Sequence, residues 1–86
     1  MQSDVRRKRL LFRSSHTGTK EMDLFLGAFA EAHLAAMTDA QLSRYEALLE
    51  IDDPTLYAWI TGRQAPPPGQ ESDVLELIRS FKYRPY

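Results

Sequence analysis

Apolar residues recur at intervals of three and four along most of the chain, and no stretch alternates in the way a half-buried strand requires. The clearest case is residues 18–35, where Met22, Phe25, Leu26, Phe29 and His33 fall on one stripe that Leu24 and Ala28 widen. Gly27 lies inside this helix, at a cost of ~1 kcal/mol relative to alanine, and would let another helix approach closely. Residues 4–15 read as an earlier, weaker helix, with Val5, Leu10, Leu11 and Phe12 as a short apolar face. Thr38-Asp39-Ala40-Gln41 is a capping box. It opens a third helix running to about Glu50, with Leu42, Tyr45, Leu48 and Leu49 inward. Asp53 as cap and Pro54 as first helical residue start a short fourth helix carrying Leu56, Tyr57, Trp59 and Ile60, and Gly62 stops it. Three prolines make Ala65 to Gly69 an extended connector. Residues 70–82 form a fifth helix, with Val74, Leu75, Ile78 and Phe81 facing in and Leu77 beside them. The tail at 83–86 is expected to be mobile. The expectation is an all-α, single five-helix bundle over residues 1–86, with Leu26, Phe29, Leu48, Trp59 and Ile78 in its core.

The chain has 86 residues, enough for one small domain with a thin core. It has no cysteine, which excludes disulfides, thiolate metal sites and cysteine nucleophiles. No apolar run approaches the ~20 residues that span a bilayer, and no apolar signal segment precedes Lys20. A cytoplasmic bacterial protein without membrane insertion is expected. The net charge of −1 conceals an asymmetry: residues 1–20 carry +5 and residues 21–86 carry −6. The basic arm at 1–8 and the bases that follow could meet nucleic acid, an acidic partner or the acidic body itself. The acidic remainder opposes phosphate binding, so no specific nucleic acid is expected.

Between the first two helices stands His16-Thr17-Gly18-Thr19-Lys20-Glu21-Met22-Asp23. Gly18 suits a tight corner because glycine tolerates left-handed backbone angles. Thr17 can cap the second helix, and Glu21 and Asp23 then fall in its first turns, where negative charge suits the helix dipole. Gly18 and Glu21 would sit together at an exposed helix start. Enzyme signatures are missing: there is no phosphate-cradling or dinucleotide glycine motif. The two histidines, His16 and His33, lack the spacing of a helical metal motif. His33 reads as a partly buried helix residue, Asp52-Asp53 as capping chemistry, and Trp59 as a core anchor. These features describe a small helical binding module and not an enzyme.

Several blocks resemble the succinate dehydrogenase flavinylation (FAD) assembly factors. They are Arg9-Leu10-Leu11-Phe12-Arg13-Ser14, Gly18-Thr19-Lys20-Glu21-Met22-Asp23-Leu24, Tyr45-Glu46-Ala47-Leu48-Leu49-Glu50 and Asp52-Asp53-Pro54-Thr55-Leu56-Tyr57-Ala58-Trp59. They stand in family order from about Arg9 to Phe81, and the wording is closest to alphaproteobacterial members. The resemblance implies a non-enzymatic helper, and a monomer is expected. Its partner would be the flavoprotein subunit of succinate dehydrogenase, with fumarate reductase as a further client. It would promote covalent FAD attachment to that subunit while binding no cofactor stably itself. The family signature is Arg-Gly-x-x-Glu. Gly18 and Glu21 match it, and Thr17, preceded by His16, stands at the arginine position. The candidate partner-binding residues are therefore Arg13, His16, Thr17, Gly18, Glu21 and Asp23, with no catalytic or metal-binding residue assigned. Two other classes remain open on the residues alone: a nucleic-acid-binding or antitoxin-like regulator using the basic helix, and a generic adaptor with Trp59 as a partly exposed interface anchor.

Overall fold

The computed structural model describes residues 2–81 and contains, among them, five α-helices and no strand. They are α1 (Gln2–Ser14), α2 (Lys20–His33), α3 (Asp39–Leu49), α4 (Asp53–Thr61) and α5 (Asp73–Ser80), with a 3-10 turn at Leu34–Ala36 after α2. Helix α1 packs against α2 and α3, and α5 against α3 and α4. The expected tail at 83–86, and the last residue of the expected fifth helix, Lys82, lie outside the described residues.

The core is built as the spacing predicts. Leu26, Phe29, Leu48, Trp59 and Ile78 are all buried, together with Leu10, Met22, Leu42, Tyr45, Leu56, Val74 and Leu75. Phe29 lies at the centre of an aromatic group. It stacks on His33 at 4.7 Å and meets Phe81 edge-on at 5.6 Å. Trp59 is only 3% exposed, so it is an internal anchor and not the exposed anchor of an adaptor. Gly27 does permit close approach: a Cβ there would lie 2.7 Å from Ser15 Oγ, at the end of α1.

The boundaries differ where caps compete. Helix α2 starts two residues late because Thr19, not Thr17, is its cap: Thr19 Oγ1 accepts from the Met22 N–H. Helix α4 is capped by Asp52 and not Asp53, with Asp52 Oδ2 accepting from both the N–H and the hydroxyl of Thr55. Thr38 and Gln41 form the expected reciprocal box on α3. Gly62 ends α4 with a φ of +79°. Helix α5 is shorter than expected because Ser72 caps it, accepting from the Leu75 N–H, and Phe81 has already turned extended.

Helix α1 departs most from its expected face. Leu10 is fully buried, but Val5, Leu11 and Phe12 are exposed. The side that docks is Arg6, Arg7, Leu10, Arg13 and Ser14, a stripe at helical spacing that is mostly polar in composition. The arginines lay their aliphatic stems on the body while their heads find acceptors. Arg6 donates to Ser43 and Glu46, and Arg13 pairs with Glu50 and Glu46. Arg7 donates to the carbonyls of Leu34 and Met37, tying the 3-10 turn after α2 to α1; the Leu34 carbonyl also accepts from the Met37 N–H. Leu24 is likewise 48% exposed and does not widen the buried stripe of α2.

Candidate functional site

The α1–α2 corner is assembled from local hydrogen bonds. The N–H groups of Ser15 and His16 continue the end of α1 by donating to Phe12 and Arg13. His16 folds back on α1: its ring stacks on Phe12 at 4.0 Å, and Nδ1 donates to the Phe12 carbonyl at 2.7 Å. Thr17 then turns the chain. Its N–H and its hydroxyl both donate to Asp23 Oδ1, at 2.5 and 2.7 Å. The hydroxyl is thereby committed to a carboxylate one turn into α2, which is why Thr19 and not Thr17 caps that helix. These donors hold the Asp23 carboxyl below the ordinary 3.8, the Thr17 hydroxyl being the largest cause. Gly18 follows with a φ of +136°, a conformation L side chains rarely adopt.

Two shallow clefts flank Gly18. One, of about 480 Å³, is lined by Arg13, His16, Gly18 and the Asp52-Asp53 pair. The other, of about 390 Å³, is lined by Thr19, Glu21, Met22, Asp53 and Tyr57. Asp53 stands between them. Its Oδ2 is buried without a hydrogen-bond partner among the described residues, and a Cβ at position 18 would sit 3.4 Å from it. Leaving a buried acceptor unmatched costs about 1–3 kcal/mol in general, so Asp53 marks the corner as a place that would gain from a donor.

The six candidate residues therefore separate. Gly18 and Glu21 are exposed at the corner as expected, and Glu21 has no hydrogen bond or ion pair among the described residues. His16 is exposed beside them. Asp23 and Thr17 are partly buried and bonded to each other. Arg13 lines the cleft but pairs with Glu50. Asp53 was legible in the sequence only as a cap; with Asp52 doing the capping, its place at the corner comes from α4 folding back under Gly18, which no local pattern signals. Among the described residues no group of three His, Cys, Asp or Glu could hold a metal, and no helix is long and apolar enough to cross a membrane. The bases of α1 are largely engaged: Arg6, Arg7 and Arg13 bind the protein's own body.

Fold and corner together define a small all-helical chain whose distinctive surface is a glycine turn bearing a carboxylate that is unpaired among the described residues. The chain belongs to the family described as flavinator of succinate dehydrogenase, whose model matches residues 8–82. It is similar to the FAD assembly factor SdhE of Acetobacter pasteurianus, 41% identical over 74 residues, covering 86% of this chain and 68% of the relative. It is 35% identical over 75 residues to the FAD assembly factor SdhE of Legionella pneumophila, covering 87% of this chain and 90% of that protein. It is 38% identical over 73 residues to the mitochondrial succinate dehydrogenase assembly factor 2 of Dictyostelium discoideum, covering 85% of this chain. The chain spans about half the length of that mitochondrial relative (52%).

Proposed function

We propose that this protein is an assembly factor that binds the flavoprotein subunit of succinate dehydrogenase and promotes covalent attachment of FAD to it, in the bacterial cytoplasm. The alternative client for the same surface is the flavoprotein subunit of fumarate reductase. The observation that carries the reading is the family match across residues 8–82, joined to the exposure of Gly18 and Glu21 at one corner.

The protein acts by binding and not as an enzyme. A helper that prefers one conformation of its client raises the population of that conformation in proportion to the difference in affinity. For this it needs a rigid, complementary surface and no reacting group. The corner is rigid because Asp23 pins Thr17. It admits close backbone approach because position 18 has no Cβ. Glu21 supplies a carboxylate able to accept a charge-assisted hydrogen bond from a client arginine or lysine. FAD is the client's group; the helper holds none stably.

The test is covalent FAD in the flavoprotein, read by in-gel flavin fluorescence in cells lacking the native helper. Wild-type protein should restore the fluorescent band, and Glu21→Ala should restore much less at limiting expression. A band unchanged by the presence or absence of the wild-type protein, with a client that requires a helper, would overturn the proposal.

A further inference from the structure

We propose that an apolar groove between α2 and α4 seats an apolar side chain of the flavoprotein whose neighbour on that surface is an arginine or lysine. The inference rests on the reading above, in which the Gly18 corner meets the flavoprotein. It adds a second contact and the chemistry of what fills it.

The groove holds about 400 Å³. Leu24 and Phe25 form its α2 wall, Tyr57 and Ile60 its α4 wall, and Glu21 and Met22 its mouth. Single exposed apolar residues are ordinary on a protein surface. Here Leu24 and Tyr57, 48% and 43% exposed, line one concave strip together. Both are uncommitted to the core, although their helices are buried on the other side through Leu26, Phe29, Leu56 and Trp59. An apolar depression rimmed by polar groups is the form of a recognition site.

Two observations identify the occupant. The first is continuity. Glu21, Met22 and Tyr57 line both this groove and the cleft that reaches Thr19 and Asp53. Thr19 and Asp53 also line the cleft beneath Gly18. One depression thus runs from the corner to the apolar walls, and a surface seated on the corner lies over the groove as well. The second is charge. The corner end carries Glu21, unpaired among the described residues, and the unmatched Asp53 Oδ2. Among the described residues, no basic side chain lines the groove itself. The positive group near it is the Arg63 guanidinium, 5.9 Å from the centre of the Tyr57 ring. Among the described residues the groove is therefore bordered by the carboxylates of Glu21 and Asp53 on the side toward Gly18, apolar in the middle and flanked by Arg63 at the edge of α4, while Arg13 and His16 lie farther off, in the cleft beneath Gly18. A client surface matches it in one orientation, with its cationic side chain toward Glu21 and its apolar side chain between Leu24 and Tyr57.

The experiment uses the whole chain and the purified flavoprotein subunit before flavin attachment, with affinity measured by calorimetry. Leu24→Gln combined with Tyr57→Gln replaces the apolar surface of both walls by amide groups, at similar length at position 24 and with loss of the ring at position 57. It should weaken binding about tenfold or more, as loss of an interface anchor does, with an unchanged circular dichroism spectrum. Glu21→Lys should weaken binding as well, and its loss should shrink as salt is raised. In the unsubstituted protein, the methyl resonances of Leu24 and Ile60 should shift on addition of the subunit; this readout decides the matter even if the double variant does not fold. Unshifted methyls, or a folded double variant that binds normally while Glu21→Lys does not, would overturn the groove and leave the corner reading intact. If the unsubstituted protein does not bind the subunit, both fall. If it self-associates and the double variant does not, the groove is an interface between two copies and the proposal is wrong.

Discussion

Along the seam between α1 and α3 nearly every polar group has a partner inside the protein. Ser14, fully buried, donates its hydroxyl to the Leu10 carbonyl, so its oxygen accepts from the Tyr45 hydroxyl on α3. Arg6 and Arg13 flank this pair and reach Glu46 and Glu50. At the corner and the groove beyond it, the Glu21 side chain has no such partner and Asp53 Oδ2 is unmatched among the described residues. The seam and the corner share one helix end, yet one is closed and the other open. The open region lies where internal partners could have stood, and under the proposed function its groups are the ones that meet the client. The exposed ion pairs of the seam contribute little stability singly. Their effect is to hold α1 in register on α3, which sets where the corner points.

The comparison is broken most severely by removing its central seam residue. Tyr45→Ala deletes a fully buried ring that meets Phe29 at 5.6 Å and donates to Ser14. It should cost about 3–5 kcal/mol, a large share of the ~5–15 kcal/mol typical of native domains. Urea denaturation should show a chain near its folding limit.

Alkaline pH tests the same seam more gently. Burial pushes the Tyr45 hydroxyl up from 10.0 to about 12. Its folded value lies above the unfolded one, so the stability is fully present below pH 10 and is lost as pH rises toward 12. The loss should be about 2–3 kcal/mol over that window. Tyr45→Phe, compared with wild type at each pH, should remove this slope while leaving the ring in place.

The two acids that begin α4 should separate next. Asp52→Ala loses the cap and should lower the urea midpoint; Asp53→Ala should lower it less, because Asp53 does not cap and carries an unmatched oxygen. Equal midpoints for the two variants would contradict the assignment. Asp23, Asp52 and Asp73 are all held below 3.8, chiefly by hydrogen bonds from Thr17, Thr55 and Gln41 respectively. Their contribution is present above that pH and should be lost as acid titrates them below it. Thr17→Val should raise the Asp23 value toward the ordinary carboxylate range, read by carbon-detected NMR titration, with the other two unmoved.

The smallest effect on stability is expected where the largest effect on function is. Glu21→Ala should change the unfolding free energy by no more than about 0.5 kcal/mol, as exposed substitutions away from caps and cores do. A clearly destabilised Glu21→Ala protein would mean that the corner carboxylate is structural, and the contrast with the seam would collapse.

Reading the chain alone succeeds where one helix face carries the information. The stripes of α2, α3 and α5 name the buried residues, because apolar side chains at three-and-four spacing have one way to leave water together. It also identifies the capping box at Thr38 and the stop at Gly62, which are local chemistry. It fails on α1, where the docking face is written in arginine and serine: a polar side chain is neutral evidence until its acceptors are placed by other elements. It misplaces two caps for a related reason. Thr17 and Thr19, and Asp52 and Asp53, are equivalent candidates by composition, and the choice is made by which neighbour already holds the side chain.

The sequence by itself determines the helical class, the core and the order of short blocks that resembles the family, since periodicity, capping and block order are properties of the chain taken linearly. Only the tertiary structure decides that Asp53 lies beneath Gly18, that Leu24 and Tyr57 line one groove, and that three arginines turn inward to their own body. Each of these joins residues from different helices. Such contacts depend on how one packed helix is set against the next, and that setting is fixed by the shape and charge of the whole core.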